Sequence, residues 1–328
     1  MGHPTDIHPT TMTAVHQDRY GPPATLQLVQ TEVPSPGDGE VLVRVRAAAV
    51  TPSDCAFRKG KPALTRLFNG LRKPRSIPGS ELAGTVERLG PGVTELSAGQ
   101  RVFGSAGPNF GAHAHYACVP TDALEPTPTE LDDDQAVSIA DGPLTAMVFL
   151  RHAGLQSGQT ILINGASGSV GGAAVQLARH FGADVTGVCS TRNLELVAAL
   201  GADHVIDYSE QDFTTSERRY DVIFDAVGTS SYRRCKPLLN PGGIYLTTAP
   251  SPVILLQALW TFRIGSRTAK IVFAGLDRES GTLAALTQLT GSGALLPVVD
   301  RSYPLAQIAD AHHYVEEGHK TGTVVITM

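Results

Sequence analysis

The stretch ILINGASGSVGGAAVQLAR, residues 161–179, constrains this chain more than any other. A short apolar run leads into Gly165, Gly168 and Gly171, which are spaced three apart, and a helix-period run leads out. A strand that turns on glycine straight into a helix is half of a strand–helix–strand unit. The same alternation continues downstream. Strands are expected at 160–164, 184–189, 204–207, 221–225, 243–247 and 270–274, and helices at 168–181, 192–200, 230–239 and 280–290. That order means a parallel sheet with right-handed crossovers. A final amphipathic helix, LAQIADAHHYVEEG, and a strand, GTVVITM, complete the chain.

Three glycines at such a turn can do three separate things. One makes the tight turn, one lets backbone N–H groups approach a pyrophosphate, and one lets the helix pack close to the strand. The helix N-terminus adds about half a positive charge facing the phosphates. The spacing is G-x-x-G-x-x-G rather than the commoner G-x-G-x-x-G, and small residues also serve plain helix–strand packing. The next strand discriminates further. An NAD site carries an acid about 20 residues past the glycines, bonded to the ribose 2′-hydroxyl. Here the residues are Cys189, Ser190, Thr191, Arg192 and Asn193, none of them acidic. Arg192 offers a planar set of donors suited to a 2′-phosphate, and Ser190 a hydroxyl. The competing reading of Arg192 is a solvated residue at a helix start, where a cation opposes the dipole. The preferred cofactor is NADPH.

The chain has 328 residues, too many for one ordinary core, so more than one domain is expected. The first third is rich in Val, Gly and Pro, and EVLVRVRAAAV (40–50) and AGTVERLG (83–90) read as short strands joined by turns, an all-β or barrel-like unit. A net charge of −5 supplies no basic surplus for nucleic acid. The cluster Arg72, Lys73, Arg75 reads as a solvated loop. Cys55, Cys118, Cys189 and Cys235 are far apart and form no CxxC, which suits a reducing cytosol. The N-terminal MGHPTDIHPTTM is polar and lacks the apolar stretch of a signal peptide. The longest apolar segment, 253–260, is far short of the roughly 20 residues of a membrane span, so no membrane partner is expected.

Taken together, GASGSVG, LGADHVIDY (200–208), FDAVG (224–228), PGGIYLTT (241–248) and GHKTGTVVI (318–326) resemble the medium-chain dehydrogenase/reductase superfamily. The likeness runs from VLVRVRAAAVTPSD to the C-terminus. It implies an α/β fold: a GroES-like β domain over 1–134, an inserted Rossmann domain over 135–274, and a segment 275–328 returning to the first domain. It also implies a cofactor in the cleft between domains, and a homodimer paired through the edge strand near 270–274. By the same resemblance, Gly165, Ala166, Ser167, Gly168, Ser169, Val170 and Gly171 hold the pyrophosphate. Ser190, Arg192 and Asn193 take the 2′-phosphate end, and Tyr208 lies near the adenosine phosphate. Val227 and Gly228 cross the adenosine–ribose region. Thr248 and Thr145 lie by the nicotinamide, and Lys320 approaches from the C-terminal loop. Thr51, where many quinone reductases have Asn, joins the cofactor set.

Zinc-dependent members place Cys and His at positions that here read Thr51 and Ser80, Asp141-Gly142 near the third-ligand position offers no Cys, and the four-cysteine lobe is missing. His113 and His115 in GAHAHYA sit on one strand face, where packing is the commoner reason; His312 and His313 are adjacent on a helix and point apart. No metal is expected. The chain is therefore similar to zinc-independent quinone oxidoreductases and NADPH-dependent enone reductases, with a small-molecule quinone or α,β-unsaturated carbonyl as substrate. A zinc-free alcohol or ketone reductase and a non-catalytic cofactor binder are the alternatives. For a proton donor the candidates are Ser53 and Asp54, although Asp54 also suits a helix cap. The basic segment 59–78 is expected at the cleft mouth, and 251–270, with LLQALWTF, as a lid or a dimer face.

Overall fold

The structure is a computed structural model and describes residues 9–63, 65–75, 77–249, 251–263, 266–272 and 281–328. In chain order the elements begin with β1 (Thr11–His16), β2 (Gln27–Glu32), β3 (Glu40–Val50), α1 (Pro52–Lys59), α2 (Thr65–Asn69), β4 (Glu81–Leu89), β5 (Arg101–Ser105), β6 (Tyr116–Pro120), β7 (Leu124–Pro126) and α3 (Asp133–Ala153). There follow β8 (Thr160–Asn164), α4 (Ser169–His180), β9 (Asp184–Cys189), α5 (Leu194–Ala199), β10 (His204–Asp207), β11 (Tyr220–Asp225), α6 (Tyr232–Cys235), β12 (Leu239–Thr247), α7 (Pro252–Arg263), β13 (Thr268–Lys270) and α8 (Thr282–Gly291). The chain ends with β14 (Val299–Pro304), α9 (Ile308–Glu316) and β15 (Thr323–Thr327).

The elements form two compact units. One comprises Met1–Ala140, Val299–His319 and Val324–Met328; the other comprises Asp141–Val298 and Lys320–Thr323. The division falls inside α3, and the stretch that includes α8 belongs to the second unit.

The first unit is built on a sheet in the order β14-β15-β3-β4-β5-β7, antiparallel from β15 to β7, with β6 also pairing β3 antiparallel. β3 is its longest strand and is buried along most of its length, because Val41, Val43, Val45 and Ala48 pack with Val86, Val102 and Val119 into one core. β-branched residues suit a pleated surface covered on one side. After β3 the chain enters α1 through a complete capping box: Thr51 Oγ1 accepts the Asp54 N–H at 3.1 Å, and Asp54 Oδ2 accepts the Thr51 N–H at 2.8 Å. Such a cap is worth about 1 kcal/mol.

The second unit holds the parallel sheet read from the sequence, in the order β10-β9-β8-β11-β12-β13. β8 and β9 are buried on both faces, as central strands of a parallel sheet must be, and their sequences TILIN and DVTGVC run apolar rather than alternating. Strands 160–164, 184–189 and 204–207 lie where expected. The strand expected over 270–274 is displaced: β13 runs Thr268–Lys270, residues 271–272 are not in a strand, and residues 273–274 lie outside the described residues, as do 1–8 of the N-terminal stretch. Two expected helices are shorter. The one over 192–200 opens with a 3-10 turn at Thr191–Asn193, and the one over 230–239 is α6 followed by a 3-10 turn containing Pro237. Proline removes the N–H that an α-helix would use there. Within the basic segment 59–78, α2 forms a single short helix.

Candidate active site

The three glycines can now be separated by what each would do with a side chain. Gly165 has φ +82°, the left-handed region, and a Cβ there would lie 2.4 Å from Val227 Cγ1. Gly171, in the first turn of α4, leaves no room at all: its Cβ would sit 2.0 Å from the Gly165 carbonyl oxygen. Gly168 is different. It has ordinary extended geometry (φ −77°, ψ 171°), and an added Cβ would meet only Gly165 O, at 3.5 Å. So the turn requires one glycine, helix–loop packing requires another, and the chain itself requires nothing of Gly168. Gly168 is also the N-cap of α4, with no side-chain cap bond. Behind it α4 buries Val175 and Leu177, roughly 1.5–3 kcal/mol each, which holds the helix start in place.

Most of the other predicted residues of the second unit follow the C-terminal ends of the strands of the parallel sheet; Thr145 and Lys320 do not. Ala166 is buried, and its N–H, like that of Gly165, donates to Val188 O (2.9 and 3.0 Å). Ser190, Arg192 and Asn193 follow β9, and Tyr208 follows the neighbouring β10, donating its N–H to Cys189 O at 3.0 Å. Arg192 and Tyr208 are exposed. Asn193 is buried, and its amide donates to Ser167 Oγ (2.9 Å) and Ser190 Oγ (3.3 Å), tying the loop after β9 to the glycine loop. Asp207, the acid nearest this corner, is engaged with the Thr191 hydroxyl, which holds its carboxyl below the usual range. Burial, with the Asp207 charge second, pushes the Cys189 thiol up to about 11, so that thiol stays protonated.

The loop after β11 is set by a buried carboxylate. Asp225 Oδ1 accepts from Asn164 Nδ2 (2.9 Å) and the Gly228 N–H (3.0 Å), and Oδ2 accepts from the Ser230 N–H (2.9 Å) and the Tyr245 hydroxyl (3.1 Å). Burial, and then the Asp225 charge, raise the Tyr245 pKa, so the phenol remains a donor. This network holds Val227 half-exposed and Gly228 at φ +69° at the end of β11. Thr248 continues the row after β12: its N–H donates to Asp225 O (3.2 Å) and its hydroxyl to Ala226 O (3.0 Å). Thr145 lies half-buried in α3. Lys320 Nζ donates to Gly322 O at 2.7 Å, in the segment whose Gly322 N–H reaches Ser167 O at 3.2 Å. Val170, one residue into α4, completes the glycine loop.

Thr51, Ser53 and Asp54 belong to the first unit. Ser53 is exposed, while Asp54 is buried and its Oδ2 accepts both the N–H and the hydroxyl (2.7 Å) of Thr51. The capping role considered for Asp54 is therefore present. Among the described residues no group of three or more His, Cys, Asp or Glu is arranged to hold a metal ion. His113 is buried with Nε2 2.9 Å from Ala49 O, and His312 is buried while His313 is exposed beside Glu317.

Two features escaped the sequence reading. Asp141, noted only as a residue without a thiol, is buried and bonded to Ser169 and Thr323. His113 and His312 meet edge to face with ring centroids 5.9 Å apart. Both depend on partners more than 25 residues away, and no local pattern signals them.

Comparison with known proteins gives the family. The alcohol dehydrogenase GroES-like domain family matches residues 37–129, and the zinc-binding dehydrogenase family matches 200–326. The quinone-oxidoreductase QR1, chloroplastic, of Triphysaria versicolor is 32% identical, covering 96% of this chain and 98% of its own. The chain belongs to the medium-chain dehydrogenase/reductase superfamily, in its quinone oxidoreductase group. The NADPH-dependent alkenal/one oxidoreductase, chloroplastic, of Arabidopsis thaliana is 33% identical, covering 97% of this chain and 80% of its own. Among solved structures, the quinone oxidoreductase from Coxiella burnetii superposes with a TM-score of 0.88 at 29% identity, over 97% of this chain and 99% of that one. A mycobacterial protein complexed with NADPH does so with a TM-score of 0.84 at 28% identity, over 97% and 100%. Members of the superfamily are oxidoreductases, and this chain is one.

Proposed function

We propose that this medium-chain reductase is an NADPH-dependent, zinc-independent oxidoreductase acting on a quinone or an α,β-unsaturated carbonyl. The observation that carries the cofactor reading is Gly168. A glycine that neither the backbone nor its neighbours require, at the uncapped start of α4, is explained by a ligand that must approach the main chain closely. The relatives named for NADPH support the same reading. The residues fit the group. Gly165–Gly171 would face the pyrophosphate with backbone N–H groups, and Ser190, Arg192 and Asn193 the 2′-phosphate, with Tyr208 beside them. Val227 and Gly228 would border the adenosine ribose, and Thr248, Thr145 and Thr51 the nicotinamide end. Lys320 supplies a cation from the C-terminal segment.

The bound nicotinamide supplies a hydride; the protein's part is to hold and shield it. Thr51 and Ser80 at two ligand positions of zinc-dependent relatives, and no Cys at Asp141-Gly142 near the third, support activity without zinc. With Asp54 engaged in a cap, Ser53 and solvent are left as proton sources for an enone, and a quinone makes no such demand. Four cysteines that form no disulfide among the described residues suit a reducing, cytoplasmic setting. A homodimer is part of the same reading. α7 exposes Val253, Leu256, Leu259 and Trp260, and its Thr261 hydroxyl accepts the Ala269 N–H of β13, the last strand of the sheet (3.1 Å). An apolar helix face beside an open strand edge is the surface a second copy would cover.

The experiment is loss of nicotinamide absorbance with a 1,4-quinone and, in parallel, an alkenal, run on wild type and Gly168→Ala. Wild type is expected to turn over at least one of the two. Gly168→Ala should melt within a degree or two of wild type while its KM for NADPH rises about tenfold. An unchanged KM removes the cofactor assignment, and turnover of neither substrate by a protein that binds NADPH removes the substrate class.

A further inference from the structure

The second unit holds a buried carboxylate to which the functional reading gives no task. Asp141 lies in α3, only 8% exposed. Its Oδ2 accepts the Ser169 hydroxyl at 2.7 Å and the Thr323 hydroxyl at 3.0 Å, and the two hydroxyl oxygens are 2.9 Å apart. Ser169 is the first residue of α4, directly behind Gly168. Thr323 stands at the end of the returning C-terminal segment, where Gly168 and Gly322 form a parallel bridge. The neighbouring Gly142 shows how closely these segments meet. A Cβ there would fall 2.2 Å from Ser169 Oγ and 2.4 Å from the Ser169 carbonyl carbon. The backbone of α3 is thus pressed on the first turn of α4.

An ionised carboxylate accepts hydrogen bonds and donates none, so it takes the protons of both hydroxyls. That fixes the Ser169 side chain toward α3 and joins residues 141, 169 and 323 at one oxygen. A plain packing contact would ask only for small apolar side chains at such a junction. A buried charge that costs desolvation and satisfies one hydroxyl of the phosphate loop and one of the C-terminal segment does more, because it sets one geometry and rejects others.

We propose that Asp141 is a positioning residue for NADPH: acting through Ser169 and Thr323, it fixes the first turn of α4 in the geometry that receives the pyrophosphate. This rests on the reading of residues 165–171 as the NADPH loop. The test is calorimetric titration of NADPH into wild type, Asp141→Asn, Asp141→Leu, Ser169→Ala and the Asp141→Leu/Ser169→Ala double variant, with the melting temperature of each ligand-free protein alongside. Asp141→Leu removes the shared acceptor of two buried hydroxyls, leaves them only each other, and is expected to weaken NADPH binding about tenfold or more. Asp141→Asn keeps a neutral acceptor of the same shape and should lose only about two- to threefold. Ser169→Ala should add little once Asp141 is gone, because both changes break one contact. In turnover the loss should appear in KM for NADPH and not in kcat. A merely structural role would instead lower the melting temperature of the ligand-free variants and leave the dissociation constants of the folded protein unchanged, and that result overturns the proposal. Additive losses in the double variant overturn it too. Should Asp141→Leu fail to fold, Asp141→Asn binding NADPH as tightly as wild type is the overturning result. If wild type itself binds no NADPH, the cofactor reading fails together with the proposal; if wild type binds and no variant shifts, the proposal alone fails.

Discussion

Two buried polar clusters, one in each unit, solve the same problem differently. Around Asp225 all four donors reach a carboxylate oxygen within 3.1 Å, and the loop so ordered carries Val227 and Gly228. In the first unit His113 and His312 are equally buried, yet each uses one ring nitrogen. His113 Nε2 lies 2.9 Å from Ala49 O, His312 Nδ1 lies 3.3 Å from Cys55 Sγ, and among the described residues His113 Nδ1 and His312 Nε2 have no hydrogen-bond partner. Arg58 is buried beside them, paired with Glu316. A filled network resists change because every loss leaves a buried group unpaired. A half-filled one has already met part of that cost, so its removal is cheaper but its protonation is not. The filled cluster orders a loop at the candidate site, and the half-filled one lies under a packed helix.

The largest break comes at Asp225. Asp225→Ala removes the acceptor for Asn164 and Tyr245, whose bonds are buried, and for two partly buried backbone N–H groups at once. About 3–5 kcal/mol of unfolding free energy should be lost, measured by urea denaturation, or the protein should fail to accumulate. A loss near 1 kcal/mol would mean that water replaces the carboxylate and that the network is not what holds the loop.

The histidine cluster should show itself through pH. Burial, with His113 and Arg58 adding to it, lowers the His312 pKa well below 6.5, so the folded chain keeps this ring neutral. An unfolded histidine takes a proton near pH 6.5. Below that pH the unfolded state holds more protons, and stability falls as pH falls from about 6.5 toward the lowered folded value. One such group contributes a slope of up to about 1.4 kcal/mol per pH unit. His312→Leu removes the titrating ring. Its stability relative to wild type should therefore improve steadily between about pH 6.5 and 5, read from denaturation curves at each pH. Parallel curves for the two proteins would show that His312 does not titrate with unfolding.

The contrast also separates what a reader of the sequence can reach from what is hidden. The glycine triplet was legible from its spacing, and two of its members answer local geometric demands, a left-handed turn at Gly165 and zero clearance at Gly171, while the chain itself demands nothing of Gly168. The parallel sheet was legible because its strands are apolar on both faces and alternate with helical periods. Asp54 in Thr-Pro-Ser-Asp could be read as a cap, since a capping box spans only four residues. Asp225 sits in FDAVG, a motif visible in the chain, but its bond to Tyr245 crosses two strands paired in register. Asp141 and the two histidines were not legible at all. Their partners are brought to them by α3, α4, α9 and the returning C-terminal segment, and only the assembled units decide which charge is buried against which hydroxyl.

The smallest effect is expected from trimming the filled cluster without emptying it. Tyr245→Phe removes one donor to Asp225 Oδ2 and leaves the Ser230 N–H on that oxygen at 2.9 Å. The ring stays, packed near Tyr232 with centroids 6.2 Å apart. No buried group is left with nothing, so the cost should be about 1 kcal/mol, the net worth of one hydrogen bond. NADPH affinity should be unchanged, because Gly228 and Ser230 still hold the loop. Urea denaturation and an NADPH titration on this single variant check both halves. A cost as large as that of Asp225→Ala would mean that the Tyr245 hydroxyl, rather than the backbone donors, fixes the carboxylate, and the filled cluster would then depend on one bond as the histidine pair does.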